Sequence, residues 1–204
     1  MIPVQLAVED SLSEAVLRKV LCASGKQYCV GACHCEGGFG YLRRIIRGLN
    51  KAARGTPWVV LTDLDNAVCP RGLILDWLPE TKHQNLLLRV AVREVESWIL
   101  GDRNSLAQFL RIRRELIPNN PEGLNDPKST LVSLARRSPI RRIREDITPV
   151  EGSVSKQGPN YNGRLINYVD LRWDPGVARR VVGSLDRAIS RFSRFSPSWE
   201  EADL

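Results

Sequence analysis

The sequence predicts an α/β fold: a mostly parallel central sheet flanked by helices, followed by a helical lobe. Three observations carry this. Short apolar runs alternate with amphipathic stretches through the first hundred residues. Several of those runs stop abruptly at acidic residues. After Asp102 the pattern changes to helix-forming segments rich in arginine. Strands alternating with helices place the strands parallel and the helices on both faces.

Val4-Gln5-Leu6-Ala7-Val8 reads as a first strand, stopped by Glu9-Asp10. Ser11 or Ser13 then caps a helix with Leu12, Val16, Leu17, Val20 and Leu21 on one face, ended by Gly25. A second strand runs from Tyr28 to Cys33 and closes at Gly37-Gly38-Phe39-Gly40. Residues 41–53 form a basic amphipathic helix with Leu42, Ile45, Ile46 and Leu49 inward. Trp58-Val59-Val60-Leu61-Thr62 suits a strand buried on both faces and ends in Asp63-Leu64-Asp65. A short helix over 73–78 and a fourth strand over 86–92 complete the core.

The later half is expected to hold helices over 106–112, 129–137 and 177–195, the last carrying Val181, Val182, Leu185 and Ile189 inward. Gly158-Pro159-Asn160-Tyr161-Asn162-Gly163 reads as turn chemistry. The domain reading is an α/β core over 1–102 and an Arg-rich lobe over 103–204 packed on it.

Composition narrows the function. The 204 residues carry 30 Lys+Arg against 23 Asp+Glu, a net charge of +7, with 43% hydrophobic residues. This is ordinary globular composition. The longest apolar runs fall far short of the ~18 residues of a membrane span, and acids stand where a signal peptide needs an apolar stretch. A cytoplasmic protein without a membrane partner is expected. Five cysteines without a secretion signal read as reduced thiols. With only His34 and His83, chemistry built on several histidine ligands is nearly excluded.

Carboxylates are the plentiful reactive groups. Glu9 follows the first strand, Asp63 and Asp65 the third, and Glu94 and Glu96 the fourth. In a parallel sheet these positions share the carboxyl edge, where ligands of open α/β sheets bind. Like charges gathered there repel and call for a divalent cation; oxygen ligands suit Mg²⁺, or Mn²⁺. The Asp-x-Asp spacing on an extended segment aims both carboxylates to one side. A carboxylate-bound Mg²⁺ on a basic protein points to phosphate chemistry.

Val8-Glu9-Asp10, Glu14 and Asp63-Leu64-Asp65 together resemble the TOPRIM domain of topoisomerases, bacterial primases, small ribonucleases and the overcoming-lysogenization-defect nucleases. That domain has a Glu after its first strand and an Asp-x-Asp after a later one, together holding Mg²⁺. Arg93-Glu94-Val95-Glu96-Ser97-Trp98-Ile99-Leu100-Gly101-Asp102, with Gly158-Pro159-Asn160-Tyr161-Asn162, further resembles an uncharacterised TOPRIM-like family. Its bacterial members are suspected of acting beside an ATPase partner in phage defence.

The resemblance implies a TOPRIM-like core and an Mg²⁺-dependent nuclease acting on DNA or RNA. Glu9, Asp63 and Asp65 would hold the metal, Glu94 would complete a second position, and Glu96 is an alternative ligand there. Related nucleases place a second acid four positions after the first, whereas Glu14 falls five after Glu9. The alternative function is a non-catalytic subunit that binds nucleic acid or a partner protein.

Arg136, Arg137, Arg141, Arg142 and Lys156 form the expected phosphate-backbone footprint. Lys128 and Lys156 are candidates for a transition-state cation. Cys29, Cys33, His34 and Cys35 lack the two separated pairs of a zinc site and read as thiols. No Gly-Lys-Ser/Thr follows the Gly-rich 37–40 segment, so a Walker site is absent there.

Overall fold

The computed structural model describes residues 1–35 and 37–199. The chain forms two compact units. One contains Met1–Val90 and the residues from Ala188 onward; the other contains Ala91–Arg187. The return of the last helix to the first unit is a long-range pairing that hydropathy along the chain does not display. Among the described residues, no helix is long and apolar enough to cross a membrane.

The first unit is α/β. Strands β1 (Ile2–Ala7), β2 (Tyr28–His34), β3 (Trp58–Asp63) and β4 (Leu86–Ala91) alternate with helices α1 (Ser11–Ala23), α2 (Gly38–Ala52) and α3 (Pro70–Trp77). The four strands form one parallel sheet in the order β2-β1-β3-β4. From β1 the chain goes to one side to make β2, then returns across β1 to make β3 and β4 on the other. Right-handed crossovers therefore put α1 on one face and α2 and α3 on the opposite one. The direction reverses between β1 and β3. That gap is the topological switch point, where open α/β sheets bind ligands beyond the strand ends.

Sequence and burial agree closely here. Val4, Leu6, Ala7, Val59, Val60 and Leu61 are wholly buried, as continuous apolar runs in a parallel sheet require. Leu12, Val16, Leu17, Val20 and Leu21 of α1 are at most 1% exposed. Each such side chain contributes about 1.5–3 kcal/mol relative to an exposed one.

The cap of α1 is Asp10, not Ser11 or Ser13: its carboxylate accepts from the Ser13 amide at 2.8 Å. An acid suits this place because it meets both the orphan N–H groups and the positive end of the helix dipole. Helix α2 starts at Gly38, before the expected Tyr41, because Gly37 supplies a left-handed cap at φ +87°. A Cβ on Gly37 would also meet the Tyr41 side chain at 2.6 Å. The segment from Ala188 joins the first unit through Tyr28, whose hydroxyl donates to the Phe192 carbonyl at 2.7 Å, and through Asn85, whose side chain bonds Ser198.

The second unit is helical: α4 (Val95–Leu100), α5 (Arg103–Leu110), α6 (Pro127–Arg136), α7 (Arg141–Ile147), α8 (Tyr161–Leu171), α9 (Pro175–Ala178) and the start of α10 (Gly183–Arg194). Two expectations change. The 158–163 segment is only partly turn, because α8 begins at Tyr161. The helix expected over 177–195 is interrupted after Ala178 and restarts at Gly183.

Glu122 explains the restart. Its two carboxylate oxygens accept from the amides of Gly183 and Ser184, at 3.0 and 2.8 Å. An anion from a distant loop thus satisfies the first donors of α10. Val181, in the break, is 46% exposed, whereas Val182, Leu185 and Ile189 are buried as expected.

Candidate carboxylate sites

The switch point of the first unit carries Glu9 and Asp63. β1 delivers Glu9 just beyond its end, and Asp63 is the last residue of β3. Glu9 Oε1 accepts two hydrogen bonds: from the Thr62 hydroxyl at 2.5 Å and from the Asp63 backbone amide at 2.9 Å. Thr62 is only 1% exposed. Adjacent strands thereby fix the glutamate to the strand end that carries the Asp-x-Asp. Both bonds fall on Oε1, and Oε2 takes neither.

Burial pushes the Glu9 carboxyl above its usual range. The Thr62 hydroxyl and Asp63 amide pull it back, and the charges of Asp65 and Asp10 push it up again. The extended geometry that would aim Asp63 and Asp65 to one side stops at Asp63. Leu64 is buried at 3% exposure, and Asp65 lies in a turn with φ +47°, closed by the Ala67 amide donating to the Leu64 carbonyl at 2.9 Å. An aspartate tolerates this left-handed conformation better than most residues.

Glu14 is engaged elsewhere. It binds Arg18, one turn on, at 2.8 Å, and its charge adds to burial in raising the Cys33 thiol.

Glu94 and Glu96 belong to the second unit. Glu94 caps α4, and its Oε2 accepts from the Lys128 amide at 2.9 Å, in the first turn of α6. Glu96 is 1% exposed. Its Oε1 accepts from the Tyr161 hydroxyl at 2.9 Å and lies 3.5 Å from Lys128 Nζ. Its Oε2 is buried without a hydrogen-bond partner. Burial pushes the Glu96 carboxyl up to about 7; Lys128 pulls it back, and Glu94 raises it again.

The surrounding Arg-Glu-Val-Glu-Ser-Trp segment is anchored on both sides of the acids. The Ser97 hydroxyl donates within the turn that precedes it, and Trp98 Nε1 donates to Ser184 Oγ at 2.7 Å. Tyr161 is therefore a buried partner of an acid at the start of a helix, and not a turn residue.

The donor set of Glu9, Asp63 and Asp65 fits a hard divalent cation in its chemistry. All three supply oxygen, and the like charges around Glu9 are of the kind a cation relieves. As the side chains are placed, no group of three or more His, Cys, Asp or Glu among the described residues stands ready to hold a metal ion. All five cysteines are free thiols, and burial raises the Cys33 thiol to about 12, which disfavours a thiolate ligand.

The basic residues divide. Arg141 pairs with Glu145 at 2.7 Å. Arg136 and Arg137 are exposed at the end of α6, and Lys156 is exposed in the loop between α7 and α8. Arg142 lines a cavity with Arg111, which belongs to the other Arg-rich run of the sequence, 111–114, and with two arginines outside both runs, Arg164 and Arg172. Thr62 was likewise missed. A hydroxyl residue just before an acid at a strand end is the signal that would have found it.

A comparison with protein-family models returned no match, and comparisons with curated proteins and with solved structures returned none either.

Proposed function

We propose that the chain is a TOPRIM-type, Mg²⁺-dependent phosphodiesterase acting on nucleic acid. The supporting observation is the bond across the switch point: Glu9 Oε1 tied to the Asp63 amide and the Thr62 hydroxyl, at the carboxyl ends of β1 and β3. Glu9, Asp63 and Asp65 would hold the cation. When bound, Mg²⁺ supplies an activated water and charge stabilisation for the leaving oxygen.

The chain's own residues do the positioning. Thr62 and the Asp63 amide fix Glu9 through one oxygen and leave the other unshared. The net charge of +7 favours a polyanionic substrate. The sequence resemblance makes an ATPase the partner and phage defence the setting. Glu94, with Glu96 as the alternative, would complete a second metal position in this reading.

Labelled single- and double-stranded DNA and RNA, incubated with Mg²⁺, Mn²⁺ or EDTA, test the reading. Asp63→Ala/Asp65→Ala protein runs beside the wild type. Metal-dependent cleavage is expected, reduced by roughly a hundredfold or more in the double variant, in keeping with the several kcal/mol that metal-ion charge stabilisation supplies. Titration of Mn²⁺ by calorimetry gives a second readout: the variant loses the binding heat of the wild type. The reading fails if cleavage persists in EDTA or survives the double substitution.

A second reading, a non-catalytic binding subunit, is favoured by one observation: the acids are not assembled as a ready metal site among the described residues. Nucleic-acid binding by the wild type without cleavage or Mn²⁺ heat selects it.

A further inference from the structure

The second unit holds a cavity of about 590 Å³, within the range of small-ligand pockets, roughly 300–1,000 Å³. It is lined by the last turn of α5, the start of α7 and the outer half of α8. Four arginines line it: Arg111, Arg142, Arg164 and Arg172. Arg164 is neutralised by Asp146, its Nε donating at 2.8 Å. Arg111, Arg142 and Arg172 make no ion pair among the described residues. Three uncompensated cations therefore share one concave surface.

Two further features are independent of this charge. Arg111 sits at φ +55°, where a residue with a Cβ is strained. The walls also carry exposed apolar groups: Leu171 is 71% exposed and Ile140 is 37% exposed, with Phe109 between buried and exposed. Gln108 and Asn167 add side-chain amides, which both donate and accept. An anion-only site needs neither the apolar walls nor the amides. A ligand with phosphates, a flat apolar body and hydrogen-bonding edges uses all three.

We infer that this cavity binds an unpaired stretch of nucleic acid, its phosphates on Arg111, Arg142 and Arg172 and one base against the Phe109, Ile140 and Leu171 wall. This rests on the nucleic-acid reading above for its substrate class and adds the binding site and the preference for single strands. A duplex offers phosphates but keeps its bases stacked inside, so the apolar wall gains nothing from it.

Fluorescence anisotropy in EDTA separates binding from cleavage. The probes are fluorescein-labelled oligo(dT) and oligo(U) and a mixed-sequence DNA duplex, each titrated with the full chain at several salt concentrations. The variants are Arg142→Gln/Arg172→Gln and, as a charge-matched control on exposed arginines outside any proposed site, Arg47→Gln/Arg54→Gln. Arg142 and Arg172 are exposed, and their guanidinium groups hold no hydrogen bond among the described residues, so their loss leaves the fold intact. The expected result is tighter binding of the single strands than of the duplex. The cavity variant should lose about tenfold in affinity, and its log–log salt slope should fall by about 1.4, two phosphate contacts on a single strand. The control should change by no more than roughly twofold.

Equal loss in the control, equal affinity for duplex, or displacement by polyglutamate as readily as by unlabelled oligonucleotide would each overturn the inference. So would displacement by thymidine monophosphate at the oligonucleotide's own affinity, which would make this a free-nucleotide site. If the wild type binds single strands through this cavity and never cleaves them, the cavity stands and the phosphodiesterase reading falls.

Discussion

Two buried glutamates, one in each unit, are held in opposite ways. Glu9 is held by neutral donors, a threonine hydroxyl and a backbone amide, with like charges nearby. Glu96 is held by a tyrosine hydroxyl and a lysine cation, and is buried almost completely. Burial raises both carboxyls. Of the two, Glu96 alone has a counter-charge among the described residues. On the metal reading proposed above an external cation would complete Glu9, whereas Glu96 resembles a structural ion pair that is kept at a cost.

The sharpest way to break this contrast is to remove the internal cation. Lys128→Met leaves the Glu96 carboxylate without a cation, held by neutral donors such as the Tyr161 hydroxyl. Unfolding by urea at pH 8 should show a loss of roughly 1–3 kcal/mol, the usual penalty for stranding a buried polar group. Adding Glu96→Gln should recover most of it. At pH 5, where Glu96 is protonated, the Lys128→Met penalty should shrink. A penalty that is equal at both pH values would show that Lys128 acts through packing instead.

The second test is pH itself. The folded Glu96 carboxyl stands near 7, above its ordinary 4.5, so the folded state holds the proton more tightly than the unfolded one. Its contribution to stability is full below about pH 4.5 and is lost as pH rises toward 7. The slope is at most about 1.4 kcal/mol per pH unit. Glu9, also raised, acts with the same sign. Comparing urea midpoints between pH 5 and pH 8 should show this decline flattened in Glu96→Gln.

The smallest effect belongs to Thr62. Thr62→Val removes the hydroxyl donor to Glu9 at nearly constant volume and should cost about 1 kcal/mol in urea unfolding. In the cleavage assay it should raise the Mg²⁺ requirement about tenfold, as loss of a ligand-orienting hydrogen bond does. Thr62→Ser should restore both. No change in either quantity would remove Thr62 from any role in orienting Glu9.

The parallel sheet and the strand-end places of Glu9 and Asp63 were legible in the sequence because one cause produces both signals. A strand buried on both faces must be an unbroken apolar run, and such a run can end in an acid only where the chain leaves the core. The Thr62–Glu9 bond was hidden because it joins neighbouring strands whose order the alternation of strands and helices leaves open. Asp65 was misjudged because a two-residue spacing carries no mark of where the strand stops. Tyr161 was hidden among Gly, Pro and Asn residues that favour turns equally at a helix start. The split in the last helix was invisible because Val182, Leu185 and Ile189 keep helical spacing across it, while the cap that restarts it comes from Glu122. The arginine cavity escaped because its members lie on or beside α5, α7 and α8: Arg111 and Arg142 belong to two separate arginine clusters of the sequence, and Arg164 and Arg172 to neither.

The last helix has a consequence for how the protein is made. Helix α10 begins in one unit and ends in the other, and residues beyond Ala188 supply the carbonyl and apolar partners of Tyr28 and Asn85. A ribosome delivers residues 1–90 long before those partners emerge. The sheet that carries Glu9 and Asp63 therefore waits, incompletely covered, through most of translation. This interval is when such a chain is exposed to aggregation or to capture by chaperones.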